Sequence, residues 1–216
     1  MYLKPTYRRH LPHIYPENEP IFFTWHLHGS LPHARYPPPG KFNAGQAFVW
    51  RDRYLDRTRI GPQYLRNPEI AKVVVDSIHR GEESLGQYQL HAYAVMPNHV
   101  HLLITPKIAA SRLMQSLKGF TAREANKLLG RSGQPFWQRE SYDHWARNAE
   151  EFSRIKRYIE WNPVNAGLCD TPEDYAWSSA ALNPRSDCAE PPSRPRPKEP
   201  GRDSTPQAAL RGKSSN

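Results

Sequence analysis

Two adjacent stretches of alternating residues constrain the fold of this chain more than any other feature of its sequence. Tyr88–Val95 alternates along its length, and His99–Thr105 follows directly after the turn sequence Met96-Pro97-Asn98. Both stretches are rich in aliphatic, β-branched and aromatic residues, and Pro106 closes the second one. The pattern predicts two antiparallel strands joined by a short turn.

Further strands and helices are predicted on both sides of this pair, from apolar periodicity and from Pro, Gly and Asn at the boundaries. We expect a strand at Ile21–Leu27, a long insertion at Gly29–Pro62 that is partly helical around Gln46–Asp56, helices at Pro68–Glu83, Ser111–Leu129 and Asn148–Trp161, and a strand or extended loop at Phe136–Trp145. The last helix is expected to end at Asn162-Pro163.

The order of these elements, β-α-β-β-α-(β)-α, is close to the split βαβ, ferredoxin-like pattern. It predicts an α+β fold with an antiparallel sheet and helices on one face. Residues 1–182 are expected to form the domain. Residues 183–216 contain seven prolines, seven basic and four acidic residues, with Leu210 as the one large aliphatic residue. This composition predicts a disordered basic tail.

Composition and charge narrow the class of protein. The formal net charge is +9 and the pI is near 9.7, which favours an acidic partner such as nucleic acid. Mean hydropathy is −0.81 and no apolar run reaches the roughly 18 residues of a membrane span. Met1–His10 is polar, so no secretory signal is predicted. Cys169 and Cys188 are too few for a disulfide framework, and we expect a reducing, cytoplasmic location.

His99 and His101 are the first candidate site residues. Positions i and i+2 of a strand face the same way, so the two imidazoles should lie side by side. The pair could ligate a divalent metal ion, or it could belong to the solvated face of an antiparallel strand. A structural zinc would need two more Cys or His ligands, and no spaced pair offers them.

Tyr158 and Asn162 are the second candidate pair. They lie one turn apart on the last predicted helix, at the border of the apolar stripe of Phe152, Ile155 and Ile159. A phenol and a carboxamide would therefore project together beside a cleft. The alternative is a boundary tyrosine and an asparagine that merely ends the helix.

Basic and aromatic residues are interleaved around these segments. Such a mixture suits nucleic acid, because cations neutralise phosphates while flat rings stack on exposed bases. Each basic residue could equally belong to an ordinary solvated helix face. The candidate DNA-binding residues are Arg112, Lys118, Arg123, Arg147, Arg154 and Arg157.

Three motifs in this order resemble the REP-associated tyrosine transposases of the single-tyrosine HUH transposase superfamily. They are Tyr93–Ile104 (YAVMPNHVHLLI), Phe136–His144 (FWQRESYDH) and Tyr158–Leu168 (YIEWNPVNAGL). The resemblance covers roughly residues 8–180, and Gly29–Pro62 is its least familiar part.

The resemblance implies a ferredoxin-like enzyme that cuts and rejoins single-stranded DNA at hairpin-forming palindromic repeats. His99 and His101 would bind Mg²⁺ or Mn²⁺, Asn162 would be a third ligand, and Tyr158 would be the nucleophile. The protein would work close to the bacterial nucleoid, as a monomer or homodimer. Two alternatives are a domesticated, non-catalytic protein that binds DNA hairpins, and a metal-dependent phosphohydrolase of small molecules.

Overall fold

Four strands form one antiparallel sheet in the computed structural model, which describes residues 18–31 and 44–181. The strands are β1 (Ile21–His26), β2 (Tyr88–Val95), β3 (His99–Pro106) and β4 (Tyr142–Trp145), in the order β2-β3-β1-β4. The α-helices are α1 (Ala44–Arg57), α2 (Pro68–Glu83), α3 (Ala110–Leu128) and α4 (Ala149–Asn165). Short 3₁₀ turns lie at Tyr64–Arg66 and Pro172–Asp174.

The predicted hairpin forms the centre of the fold. Val95 pairs with Val100, and Met96 N donates to His99 O at 2.9 Å to close the turn. β1 pairs with the far side of β3, so the chain crosses between β1 and β2 through α1 and α2. The α+β, ferredoxin-like antiparallel sheet predicted from the element order is therefore confirmed.

Helices lie on both faces of this sheet, whereas the sequence predicted one covered face. Trp25 of β1 packs on Trp137, whose Nε1 donates to Thr121 of α3 at 2.9 Å. Tyr93 of β2 contacts His79 of α2, so α2 and α3 cover this apolar face as expected. We call it the apolar face.

The other face, which we call the polar face, carries His99 and His101 of β3 together with Thr24 and His26 of β1. Phe22, on the same face, contacts Phe48 of α1 and Tyr158 of α4. α1 and α4 therefore cover this second face. The second face is covered because it also carries apolar residues, such as the cross-strand pair Phe22 and Leu103, and these require burial.

Most helix boundaries follow the sequence, and α4 is the exception. α2 has the predicted bounds, and Asn67 Oδ1 accepts from Glu69 N at 2.9 Å as its N-cap. The predicted end of α4 at Asn162-Pro163 is wrong, because the helix continues to Asn165 with Pro163 inside it. Asn162 and Pro163 are both buried, and this packing overrides the local preference against helix before proline.

The structure confirms two further elements predicted from the sequence, a helix within the insertion and an extended stretch before α4. The helix expected around Gln46–Asp56 is α1, and the extended stretch 136–145 becomes β4 plus a segment whose Trp137 bridges Leu27. The tail at 183–216 and the boundary at residue 182 lie outside the described residues. None of the helices in the described ranges combines the length and the apolarity needed to cross a membrane.

Candidate metal and nucleophile site

His99 and His101 form the floor of a buried polar cluster on the polar face. Both side chains are fully buried, and their Nε2 atoms lie 3.1 Å apart. The solvated-face interpretation of this pair is therefore wrong. α1 and α4 lie over the two rings and exclude water from them.

Hydrogen bonds fix the far side of each ring. Asn98 Nδ2 donates to Leu55 O at 2.9 Å, which leaves Asn98 Oδ1 to accept from His99 Nδ1 at 2.7 Å. His101 Nδ1 lies 2.8 Å from Thr24 Oγ1. With its Nδ1 protonated, His99 presents an unprotonated Nε2 to the cluster, as a metal ligand must.

Burial also keeps the imidazoles neutral. Desolvation lowers the pKa of His101 to about 3. Desolvation, and then the neighbouring His101, lower the pKa of His99 well below its usual value. Neutral imidazole is the form that binds a metal ion, so neither ring carries a positive charge that would oppose metal binding at physiological pH.

Asp52 of α1 completes a three-residue cluster that the sequence analysis missed. Its Oδ1 lies 3.4 Å from His101 Nε2 and 3.7 Å from His99 Nε2. The side chain is 2% exposed, and Oδ1 has no hydrogen-bond partner within the described ranges. One ligand atom from each of these three residues lies within 4.8 Å of the other two, which is close enough to hold a metal ion.

Asp56 follows one turn later on the same helix. Its Oδ1 lies 3.6 Å from His99 Nε2 and, in the part of the chain that the structure describes, accepts no hydrogen bond. Burial raises the pKa of Asp56 to about 7. Burial, and then the charge of Asp56, raise the pKa of Asp52 well above its usual value. Two carboxyl groups thus lie close together away from water, and each disfavours the charged form of the other.

Tyr158 and Asn162 of α4 reach the same carboxylate from the other side. The Tyr158 hydroxyl donates a hydrogen bond to Asp52 Oδ2, and Asn162 Nδ2 lies 3.4 Å from that oxygen. The Tyr158 ring lies edge-on to His101 with 5.7 Å between ring centroids. The structure therefore brings all four sequence-predicted site residues to Asp52.

The donor set fits a divalent cation. Two neutral imidazole nitrogens face a buried carboxylate oxygen, and Asn162 Oδ1 is also buried without a partner among residues 18–31 and 44–181. A buried polar atom without a partner is costly, and a bound cation would satisfy these atoms. Mixed imidazole and carboxylate ligands suit first-row divalent ions such as Mn²⁺.

The six candidate DNA-binding residues do not form one surface. Arg112, Lys118 and Arg123 lie on α3, beneath the apolar face, while Arg154 and Arg157 lie on α4 and Arg147 just precedes it. Lys118 Nζ donates to Gln138 O at 2.9 Å, to Arg139 O at 3.1 Å and to Ser141 Oγ at 3.0 Å. Its ammonium group thus holds the segment that leads into β4.

A sequence signal for Asp52 exists in α1. Phe48, Asp52 and Leu55 follow helical spacing and are all buried, so one carboxylate interrupts an otherwise apolar stripe. An acidic residue in that position is rarely buried without a partner or a metal.

Part of the sequence and the fold of the chain are similar to those of known transposases. Residues 63–162 match the family model described as IS200-like transposase. No protein among the curated ones matches the chain. A REP-associated tyrosine transposase solved with a REP hairpin has 19% identity and a TM-score of 0.50, covering 82% of each chain. A predicted transposase from Deinococcus radiodurans R1 has 20% identity and a TM-score of 0.37, covering 75% of this chain and 98% of its own.

The resemblance noted in the sequence is therefore confirmed. The segment 63–162 has the sequence character of an IS200-like transposase, and the chain has the fold of the REP-associated tyrosine transposase. His99, His101, Tyr158 and Asn162 lie inside the matched segment, whereas α1, with Asp52 and Asp56, precedes it.

Proposed function

We propose that this protein nicks and rejoins single-stranded DNA at palindromic repeat hairpins, with Tyr158 as nucleophile. The observation that carries the proposal is the convergence of the Tyr158 hydroxyl and the His99–His101 pair on one buried carboxylate, Asp52. The transposase family of residues 63–162 supports DNA strand cleavage, and the hairpin bound to the structural neighbour supports the kind of substrate.

The chemistry divides between the residues of the polar face. The Tyr158 oxygen attacks the scissile phosphorus, the bond from phosphorus to the 3′-oxygen breaks, and the phenol proton ends on the departing 3′-hydroxyl. The product is a 5′-phosphotyrosine ester that a later 3′-hydroxyl attacks in reverse. Asp52 Oδ2 holds the phenol before attack by accepting its hydrogen bond.

His99, His101 and Asp52 would hold Mg²⁺ or Mn²⁺, with Asn162 as a further ligand. Such an ion supplies Lewis-acid polarisation of the scissile phosphate. Asn98 and Thr24 orient the two rings from behind. The DNA-binding role of the basic residues belongs to the same proposal, and Arg154 and Arg157 share the helix of Tyr158. We propose a cytoplasmic protein that acts on chromosomal repeats.

A covalent-adduct assay tests the proposal. An end-labelled repeat hairpin with a single-stranded flank is incubated with protein and Mn²⁺ or Mg²⁺, then separated under denaturing conditions. Wild type should give a protein–DNA adduct, and Tyr158→Phe should reduce it at least a thousandfold. Tyr142→Phe is the matched control, because Tyr142 also lies on the polar face, stacked on Phe48 with ring centroids 4.2 Å apart.

The histidine variants separate cleavage from binding. His99→Ala together with His101→Ala should abolish the adduct and leave hairpin affinity nearly unchanged, because most phosphate contacts lie elsewhere. Binding without any adduct from wild type would identify a non-catalytic hairpin-binding protein. Phosphate release from small esters, with indifference to DNA, would identify a phosphohydrolase.

A further inference from the structure

We propose that Asp56 is an additional ligand of the divalent ion, and that the bound ion fastens α1 to the polar face of the sheet. The inference rests on the metal site of the proposed function. It adds a second ligand from α1, a helix that lies outside the family-matched segment. α1 is then a metal-dependent part of the fold as well as a source of ligands.

α1 is attached to the sheet through one narrow stripe. Phe48 packs on Phe22 and Tyr142 at one end, with ring centroids 5.4 and 4.2 Å apart. Leu55, 3% exposed, packs at the other end, and its carbonyl accepts from Asn98 Nδ2. Asp52 lies between these anchors and Asp56 directly after them, so two buried carboxyl groups form part of the contact beside the Leu55–Asn98 hydrogen bond.

These carboxylates are too far from the imidazoles for direct hydrogen bonds. Asp56 Oδ1 and Asp52 Oδ1 lie 3.6 and 3.7 Å from His99 Nε2, beyond the normal range for such a bond. Neighbouring ligands of an octahedral ion with bonds of about 2.1 Å stand about 3 Å apart. Asp56 lies beside the Asp52–His99–His101 cluster, on the His99 side, and the four separations of 3.1 Å (His99–His101), 3.4 Å (Asp52–His101), 3.7 Å (Asp52–His99) and 3.6 Å (Asp56–His99) are close to those of side chains that share an ion.

Two buried oxygens without a partner among the described residues give independent support for a bound cation. Asp52 Oδ1 and Asn162 Oδ1 belong to side chains 2% and 1% exposed, and neither accepts a hydrogen bond from any described residue. Placing two carboxylates side by side in such a space is unfavourable without a compensating charge. A divalent cation removes both the repulsion and the unsatisfied oxygens.

The ligand set also favours one kind of ion. Two imidazole nitrogens and two carboxylates form a mixed site, and nitrogen ligands bind Mn²⁺ and later first-row ions better than they bind Mg²⁺. Mg²⁺ prefers oxygen ligands and retains several waters. We therefore expect Mn²⁺ to bind more tightly than Mg²⁺ and to order α1 at lower concentration.

Metal titration and hydrogen exchange test the inference without any measurement of activity. Chelator-treated full-length protein is titrated with Mn²⁺ and Mg²⁺ by calorimetry, and exchange at residues 44–57 is followed by mass spectrometry. Mn²⁺ should slow exchange in α1 at least tenfold and leave α3 unchanged. Asp56→Asn should weaken Mn²⁺ binding at least tenfold and remove most of the protection of α1.

Asp76→Asn is the matched control, because Asp76 pairs with Lys72 in an exposed contact on α2. It should behave as wild type. Equal Mn²⁺ affinity in wild type and Asp56→Asn, or α1 exchange in wild type that ignores Mn²⁺, would overturn the inference. If Mn²⁺ protects α1 through Asp56 while no DNA adduct forms, this inference stands and the proposed DNA cleavage fails.

Discussion

The two faces of the sheet are built from the same strands and have opposite characters. On the apolar face, Trp25 and Leu102 pack beneath α2 and α3 among aromatic and aliphatic neighbours. On the polar face, His99 and His101 alternate with Val100 and Leu102 along β3 and face α1 and α4. A spacing of one residue thus separates a conventional core from a cluster of buried ionisable groups.

This difference explains how the domain stays folded although the buried polar cluster destabilises it. Buried carboxylates and imidazoles without full hydrogen bonding destabilise a fold. Asp52, Asp56 and Asn162 each contribute an oxygen that has no partner among the described residues. The apolar face offsets that cost, because β1 and β3 are fully covered there. We expect substitutions on the apolar face to act on stability, and substitutions on the polar face to act on metal binding and DNA chemistry.

The largest stability effect should come from the apolar face. Leu102 is fully buried between β2 and β1, so Leu102→Ala should lower the free energy of unfolding by about 3 kcal/mol. Tyr158→Phe, which removes one hydroxyl from the polar face, should cost at most about 1 kcal/mol. Urea denaturation of both variants measures the contrast. A larger loss of stability for Tyr158→Phe than for Leu102→Ala would contradict the assignment of stability mainly to the apolar face.

A smaller effect should separate the basic residues of α4 from those of α3. Arg157 lies over the exposed Trp161 ring, 6.0 Å from its centroid, and Arg154 is one turn before Tyr158. Arg154→Ala with Arg157→Ala should weaken hairpin binding about tenfold at low salt and reduce the salt slope by about two. Arg112→Ala with Arg123→Ala removes the same charge beneath the apolar face and should weaken binding less. Equal losses in salt titrations of the two double variants would contradict this separation.

The buried carboxyl group of Asp56 on the polar face should also make the stability of the metal-free protein depend on pH. Burial raises the pKa of Asp56 from 3.8 to about 7, so the folded chain holds this proton more tightly than the unfolded chain. The carboxyl contributes stability below pH 4, and this contribution is lost as pH rises to about 7. The lowered pKa values of His99 and His101 make stability change with pH in the opposite direction. The unfolding free energy of Asp56→Asn is therefore subtracted from that of wild type at each pH. That difference in unfolding free energy should fall between pH 4 and 7 and then level off, and a constant difference would be inconsistent with a buried Asp56.

The smallest effect should come from the C-terminal residues 183–216. Residues 183–216 carry a net charge of +3 and almost no large apolar residues. Truncation after Leu182 should leave the melting temperature unchanged and weaken binding to all DNA sequences about equally, mainly at low salt. Titrating a repeat hairpin and a scrambled strand at two salt concentrations checks this. Loss of hairpin preference on truncation would make the tail a specificity element.

Local patterns in the sequence were sufficient for most of the fold. Alternation and turn residues at Tyr88–Val95 and His99–Thr105 predict β2 and β3, because strand periodicity depends on neighbouring residues alone. The end of α4 was mispredicted because burial of Asn162 and Pro163 is a tertiary effect. The second covered face was missed for a related reason, since no local pattern shows which helix packs on which side of a sheet.

The candidate site was predictable in part. His99 with His101, and Tyr158 with Asn162, are short-range pairs whose spacing places them together on one strand and on one helix. Asp52 meets them only through the packing of α1 across the polar face, 106 residues from Tyr158 along the chain. No spacing rule connects residues so distant, although a carboxylate within an apolar helical stripe was visible in the sequence.

The central claim is that the polar face performs covalent DNA chemistry through Tyr158, and mapping the linked residue tests it most directly. The protein is trapped with a repeat hairpin in Mn²⁺, digested, and analysed by tandem mass spectrometry for the tyrosine that carries the nucleotide. We predict that the modification lies on Tyr158 and disappears when His99 and His101 are both replaced by alanine. A modification on Tyr142 or Tyr175, or a wild-type protein that never becomes linked to DNA, would contradict the account.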